Sequence, residues 1–125
     1  MAENNLISVV DDDPSMCRML TRVLTAIGFE VGVFSSAEDF LASGRINDSD
    51  CLILDVDLTG ISGIQLQQQL NESGSTVPII FISGHADTDV REQVLAAGAI
   101  GFFNKPFRID ALLTAINALT SLSLS

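Results

Sequence analysis

Five short apolar runs alternate along this chain with segments of helical period. Residues 6–10 (LISVV), 31–34 (VGVF), 51–56 (CLILDV), 78–83 (PIIFIS) and 99–103 (AIGFF) have the length and composition of strands. The first, third and fourth look the most buried, as strands covered on both faces do. After Pro14, the positions Met16, Met19, Leu20, Val23, Leu24 and Ile27 hold one face of a helix that Gly28 can stop. Ser35-Ser36-Ala37-Glu38 has the spacing of a capping box, which predicts a short helix reaching Gly44. Ile64, Leu66 and Leu70 predict a third helix ending at Gly74. Val90, Val94 and Leu95 predict a fourth closing near Gly98, and residues 109–119 a fifth.

Strand and helix therefore alternate five times, which predicts an α/β fold with a doubly wound parallel sheet. Crossovers of this kind are right-handed, and open α/β sheets bind ligands beyond the carboxyl ends of their strands. The unusual residues of the chain collect at that edge. Asp11, Asp12 and Asp13 follow the first run, Asp55 and Asp57 close the third, Ser83 ends the fourth, and Lys105 follows the fifth. Two carboxylates about 4 Å apart repel by roughly 4 kcal/mol at an effective dielectric of 20, which amounts to about three pKa units. Such a cluster needs a cation or a shared proton, and an all-oxygen donor set beside a phosphate favours Mg²⁺. Lys105 is the only lysine, and it precedes Pro106 at a bond that could be cis in a tight turn.

Each residue also has an ordinary reading. Asp13 beside Pro14 reads as a helix cap, and Ser83 taken alone as a strand-end hydroxyl bonded to backbone. His85, the single histidine, reads as a surface or capping residue. Gly60 and Gly63 read as turn residues, and Phe102, Phe103 and Phe107 as core.

Composition narrows the function classes. With 16 acidic against 6 basic residues, the net charge of −10 opposes contact with nucleic-acid backbones. The 125 residues suffice for one domain with a single core, expected over residues 1–120, with 121–125 as a tail or the start of a linker. Cys17 and Cys51 lack metal-ligand spacing and read as buried thiols in a reducing compartment. Without a basic leader or an apolar run of roughly 20 residues, the expected location is cytoplasmic and not membrane-spanning.

The string Asp55-Val56-Asp57-Leu58-Thr59 leaves two chemistries open: a phosphate acceptor beside a metal-binding loop, or a nucleophile followed by a proton-transferring acid. The set VVDDD, LILDV, FISGH and FFNKPF resembles the receiver domain of two-component response regulators, in order across residues 5–120. The texture of SAEDFL, SGHAD and NKPF is similar to the FixJ-like group, whose receivers precede a helix-turn-helix output domain. The resemblance implies a flavodoxin-like sheet of order 2-1-3-4-5 with five helices. It implies that Asp55 accepts a phosphoryl group from a histidine kinase or phosphotransfer protein, and that Mg²⁺ is held by Asp11, Asp12, Asp55 and the backbone carbonyl of Asp57. Ser83 would bond the phosphoryl group, Lys105 would pair with it, and Phe102 would be the switch aromatic that turns inward. The α4-β5-α5 surface would then change for an output domain, a partner protein or a phosphorylation-dependent dimer.

The family commonly has Met-Pro where this chain has Leu58-Thr59, so a freer loop is expected. Asp57 and His85 are expected to tune dephosphorylation. The same string also resembles motif one of haloacid-dehalogenase-type phosphatases, which would pair Asp55 with Asp57 in catalysis, but the order of motifs opposes it. A receiver-like module that is no longer phosphorylated and acts only as an interaction surface is the remaining alternative.

Overall fold

The computed structural model describes residues 5–84 and 88–124, with side chains through residue 119. Five parallel strands, β1 (Leu6–Val10), β2 (Glu30–Phe34), β3 (Cys51–Asp55), β4 (Ile79–Ser83) and β5 (Gly101–Asn104), form one sheet of order β2-β1-β3-β4-β5. The helices are α1 (Pro14–Ala26), α2 (Ala37–Ser43), α3 (Gly63–Glu72), α4 (Thr88–Ala96) and α5 (Ile109–Leu124). None of the described helices is long and apolar enough to cross a membrane.

Burial follows the apolar runs. Every residue of β1, β3 and β4 is buried, whereas β2 and β5 at the two edges are only partly covered. Alternation along the central strands feeds two cores. Ile7, Val9, Ile53, Ile80 and Ile82 pack against Cys17, Leu20 and Leu24 of α1 and Leu112 and Ile116 of α5. On the other face, Val10, Leu52, Leu54, Phe81 and Phe102 meet Phe40 of α2, Leu66 and Leu70 of α3, and Val94 of α4.

The boundaries differ from the sequence reading where local bonds override periodicity. Residues 99 and 100 turn before β5, because the Ala99 N–H closes the end of α4 on the Val94 carbonyl. α2 is capped one residue later than expected: Ser36, not Ser35, accepts from the Asp39 N–H at 3.0 Å. The capping box of this chain is instead at α3. There Ser62 accepts from the Gln65 N–H and the Gln65 side chain accepts from the Ser62 N–H. α5 continues past residue 119 to Leu124.

Gly63 is more than a turn residue. It is buried at the first position of α3, against the last residues of β3, where a Cβ would collide with the Asp55 carbonyl oxygen and come within 3.0 Å of Val56 Cα. Only a residue without a side chain lets α3 start directly behind β3. Gly63→Ala is expected to lower unfolding free energy by at least about 2 kcal/mol in urea denaturation. Gly84→Ala, where nothing lies within 4 Å of the added carbon, is expected to shift it by less than about 0.5 kcal/mol.

Candidate functional site

Strand register determines which residues meet. Val10 pairs with Leu54, Asp55 with Ile82, and Ser83 with Asn104, so the residues that end β3 and β4, or follow β1 and β5, reach one edge together. Asp13 caps α1, accepting from the Ser15 N–H at 2.9 Å with Pro14 at the first helical position, as its neighbours in sequence predict. That cap turns the chain sharply after β1 and leaves Asp11 pointing inward and Asp12 outward.

Asp11 and Asp55 are both buried, at 1% and 3% exposure, and their carboxylates would repel without a cation. The Lys105 ammonium supplies one. Its Nζ lies 3.0 Å from Asp11 Oδ2 and 3.5 Å from Asp55 Oδ2. The remaining oxygens are also engaged: the Asp13 N–H donates to Asp11 Oδ1 at 2.9 Å, and the Asp57 N–H to Asp55 Oδ1 at 3.1 Å. Lys105 itself follows β5 at a cis peptide bond to Pro106, and its N–H donates to the Ser83 carbonyl at 2.6 Å. Burial pushes the Asp55 carboxyl up to about 6; the Asp57 N–H and Lys105 oppose that rise and the charge of Asp11 adds to it. The Lys105 ammonium loses solvation, but its bonds to Asp11 and the charge of Asp55 outweigh that loss and raise its pKa.

Asp12 completes the cluster from the solvent side. One carboxylate oxygen from each of Asp11, Asp12 and Asp55 falls within 4.8 Å of the others. Three hard oxygen donors at that spacing suit a small divalent cation that keeps waters of its own, as Mg²⁺ does.

The loop after Asp55 is more constrained than the missing proline suggests. Leu58 is buried, Thr59 Oγ1 donates to Asp12 Oδ2 at 3.4 Å, and the Ile61 N–H donates to Glu38 Oε2 at 3.3 Å. Gly60, with φ 81°, lets the Glu38 carboxylate lie directly over the loop. The sequence suggests Glu38 only as the acid of a capping box, and its position in the first turn of α2 hides the contact with this loop. Ser83 is buried at the end of β4. His85 lies outside the described residues.

Phe102 lies in the core, as the sequence reading expects. In register with Phe81, it is 8% exposed and already packs in the core beneath α3 and α4. The ring is therefore turned inward in this structure.

Both thiols are buried and free, as the sequence reading expects. Cys17 Sγ donates to the Asp11 carbonyl at 3.2 Å, and burial together with the charge of Asp11 pushes it up to about 11. Cys51, the first residue of β3, is pushed up to about 12 by burial and then by Asp50.

Comparison with known proteins agrees with this geometry. The model of the response regulator receiver domain matches residues 7–117. This chain belongs to that family. It is 43% identical over 119 residues to the response regulator protein TodT of Pseudomonas putida, covering 95% of this chain and 52% of TodT. It is 34% identical to the transcriptional regulatory protein FixJ of Azorhizobium caulinodans, covering 94% of this chain and 56% of FixJ. The receiver thus spans about half the length of these curated relatives. Among solved structures, the response regulator StyR is 41% identical with a TM-score of 0.88, over 96% of this receiver and 61% of StyR. The phosphatase reading of Asp55 and Asp57 is not favoured: the match is to receivers, and Asp57 is exposed while Asp55 is buried.

The raised carboxyl has a consequence for stability. Below the ordinary pKa of 3.8 the Asp55 carboxyl is protonated in both folded and unfolded chains. As pH rises toward 6, the unfolded chain releases its proton first, so stability from this group is lost across that interval. Without Mg²⁺, Asp55→Asn is expected to flatten this decline and raise unfolding free energy at pH 7 by about 1–2 kcal/mol, measured by denaturant titration at several pH values.

Proposed function

We propose that this receiver takes a phosphoryl group from a histidine kinase or phosphotransfer protein onto Asp55. The arrangement that carries this reading is the Lys105 ammonium set between Asp11 and Asp55, with an oxygen of Asp12 completing the cluster. An Asp55 oxygen forms the new bond to phosphorus while the phosphorus–nitrogen bond of a phosphohistidine breaks and the imidazole keeps the electron pair. Lys105 stays fixed through the transfer and pairs with the developing charge on the phosphoryl oxygens. The Asp57 N–H holds the carboxylate orientation, and the Ser83 hydroxyl bonds the transferred group. Asp11, Asp12, Asp55 and the Asp57 carbonyl would hold Mg²⁺, which when bound supplies positive charge against the phosphoryl oxygens. Water then removes the phosphate, at a rate that Asp57, which is exposed, and His85 tune.

The site is self-contained, and the reading assigns the domain no turnover beyond its own phosphorylation and dephosphorylation. Its output is a change at the α4-β5-α5 face, read by an output domain, a partner protein or a second copy. The acidic surface supports a protein partner over direct nucleic-acid contact. Residues 1–120 form the receiver in this reading, 121–125 lead out of it, and the location is cytoplasmic.

Incubation with a small acyl phosphate and Mg²⁺ is expected to label the chain. Asp55→Asn or removal of Mg²⁺ should abolish the label, and a label that survives either change would exclude this assignment. Asp57→Ala and His85→Ala are each expected to change the decay rate of the phosphorylated form severalfold, followed by loss of label with time; unchanged rates would remove both residues from the mechanism.

A further inference from the structure

Helix α4 is covered by the domain very unevenly. From Thr88 to Gln93 only Val90 is even partly buried, and Val94 is the one fully buried residue of the helix. The same residue is where α3 takes hold. Gln67, 1% exposed, donates through Nε2 to the Val94 carbonyl at 2.9 Å. One turn further along both helices, Asn71 Nδ2 donates to the Ala97 carbonyl at 3.0 Å.

These bonds meet an end that is already closed. The Ala99 N–H donates to the Val94 carbonyl at 3.0 Å and the Gly98 N–H to the Leu95 carbonyl at 3.1 Å, a pattern that ends helices on a glycine. The Val94 carbonyl thus accepts from Ala99 and Gln67 together, using both lone pairs. A buried glutamine is uncommon, and this one stands on the apolar face of α3 with Gly63, Leu66 and Leu70. A leucine would fill the place without the cost of burying an amide, but it could not bond to the α4 backbone.

We propose that Gln67 and Asn71 fasten the carboxyl-terminal end of α4 to α3, so that α4 responds to phosphorylation by a swing of its first half about that fixed end. This rests on the phosphoacceptor reading for the trigger, but the fastening itself does not depend on it. With Phe102 already inward, the less covered first half of α4, which follows β4 and Ser83 in the chain, is the part with room to move. The partner-facing change is then concentrated at Thr88–Glu92 and is small at Val94–Ala97.

Amide hydrogen exchange of the unphosphorylated 125-residue chain tests the fastening. The amides of Gly98 and Ala99 and those in the second half of α4 are expected to exchange more slowly than those of its first half. Gln67→Leu should speed the protected set about tenfold, as expected for losing one bond to a buried carbonyl, with β1 and β3 amides unchanged. Asn71→Ala, at an exposed position that leaves the core intact, should act in the same direction and more weakly. Even exchange along α4, or no response to Gln67→Leu, would overturn the proposal. Adding fluoroberyllate with Mg²⁺ should then shift backbone resonances at Thr88–Glu92 and spare Val94–Ala97, whereas equal shifts in both halves would also overturn it. A chain that keeps the exchange gradient but ignores fluoroberyllate would retain the fastening and overturn the phosphoacceptor reading instead.

Discussion

One ammonium group between two buried carboxylates governs this edge of the sheet. Asp11 and Asp55 come from strands that are neighbours only because β1 and β3 pair, and Lys105 arrives from the far side, beyond β4. Removing the cation would leave two desolvated negative charges facing each other, a far worse state than the pair with it. The cluster therefore acts as a lock on the relative positions of three chain segments. Burial, with the charge of Asp11, also leaves Asp55 with a carboxyl harder to ionise than an exposed one, so added positive charge has a large effect there.

The fold was largely legible because its two signals are strong and independent. Apolar runs at 6–10, 51–56 and 78–83 are β-rich and too short for helices, and glycines at 28, 44, 74 and 98 punctuate the segments between them. The errors fall where a local bond outranks periodicity. The Ala99 N–H serves α4 rather than β5, and the cap of α2 lies at Ser36. The Ser62/Gln65 box has the same spacing as the one inferred at Ser35, and hydrogen-bond geometry alone separates them.

The site was legible as a set of strand-end positions, not as a set of contacts. Asp11, Asp12, Asp55 and Lys105 follow from where strands stop, but the burial of Asp11 and exposure of Asp12 depend on the turn that Asp13 caps. Glu38 and Gln67 could not be singled out, because each has an ordinary explanation in sequence: an acid in a helix first turn, and one of three consecutive glutamines. The spacing of Gly63, Leu66, Gln67 and Leu70 carries the only hint, since it puts residue 67 on the covered face. Phe102 was placed correctly in the core because a residue's side of a strand follows from alternation; its rotamer, on which the expected movement depends, does not.

The two sheltered sulfurs give the molecule an internal clock. The chain has no tryptophan or tyrosine, but a thiol pushed up to about 11 at Cys17 and about 12 at Cys51 reacts with alkylating reagents only when its surroundings part. Cys17 touches the peptide oxygen of Asp11, so its modification would time breathing at the acidic edge; Cys51, at the other end of the central strand, would time opening of the interior. A ligand that stiffens the edge alone would slow the first reaction and leave the second untouched.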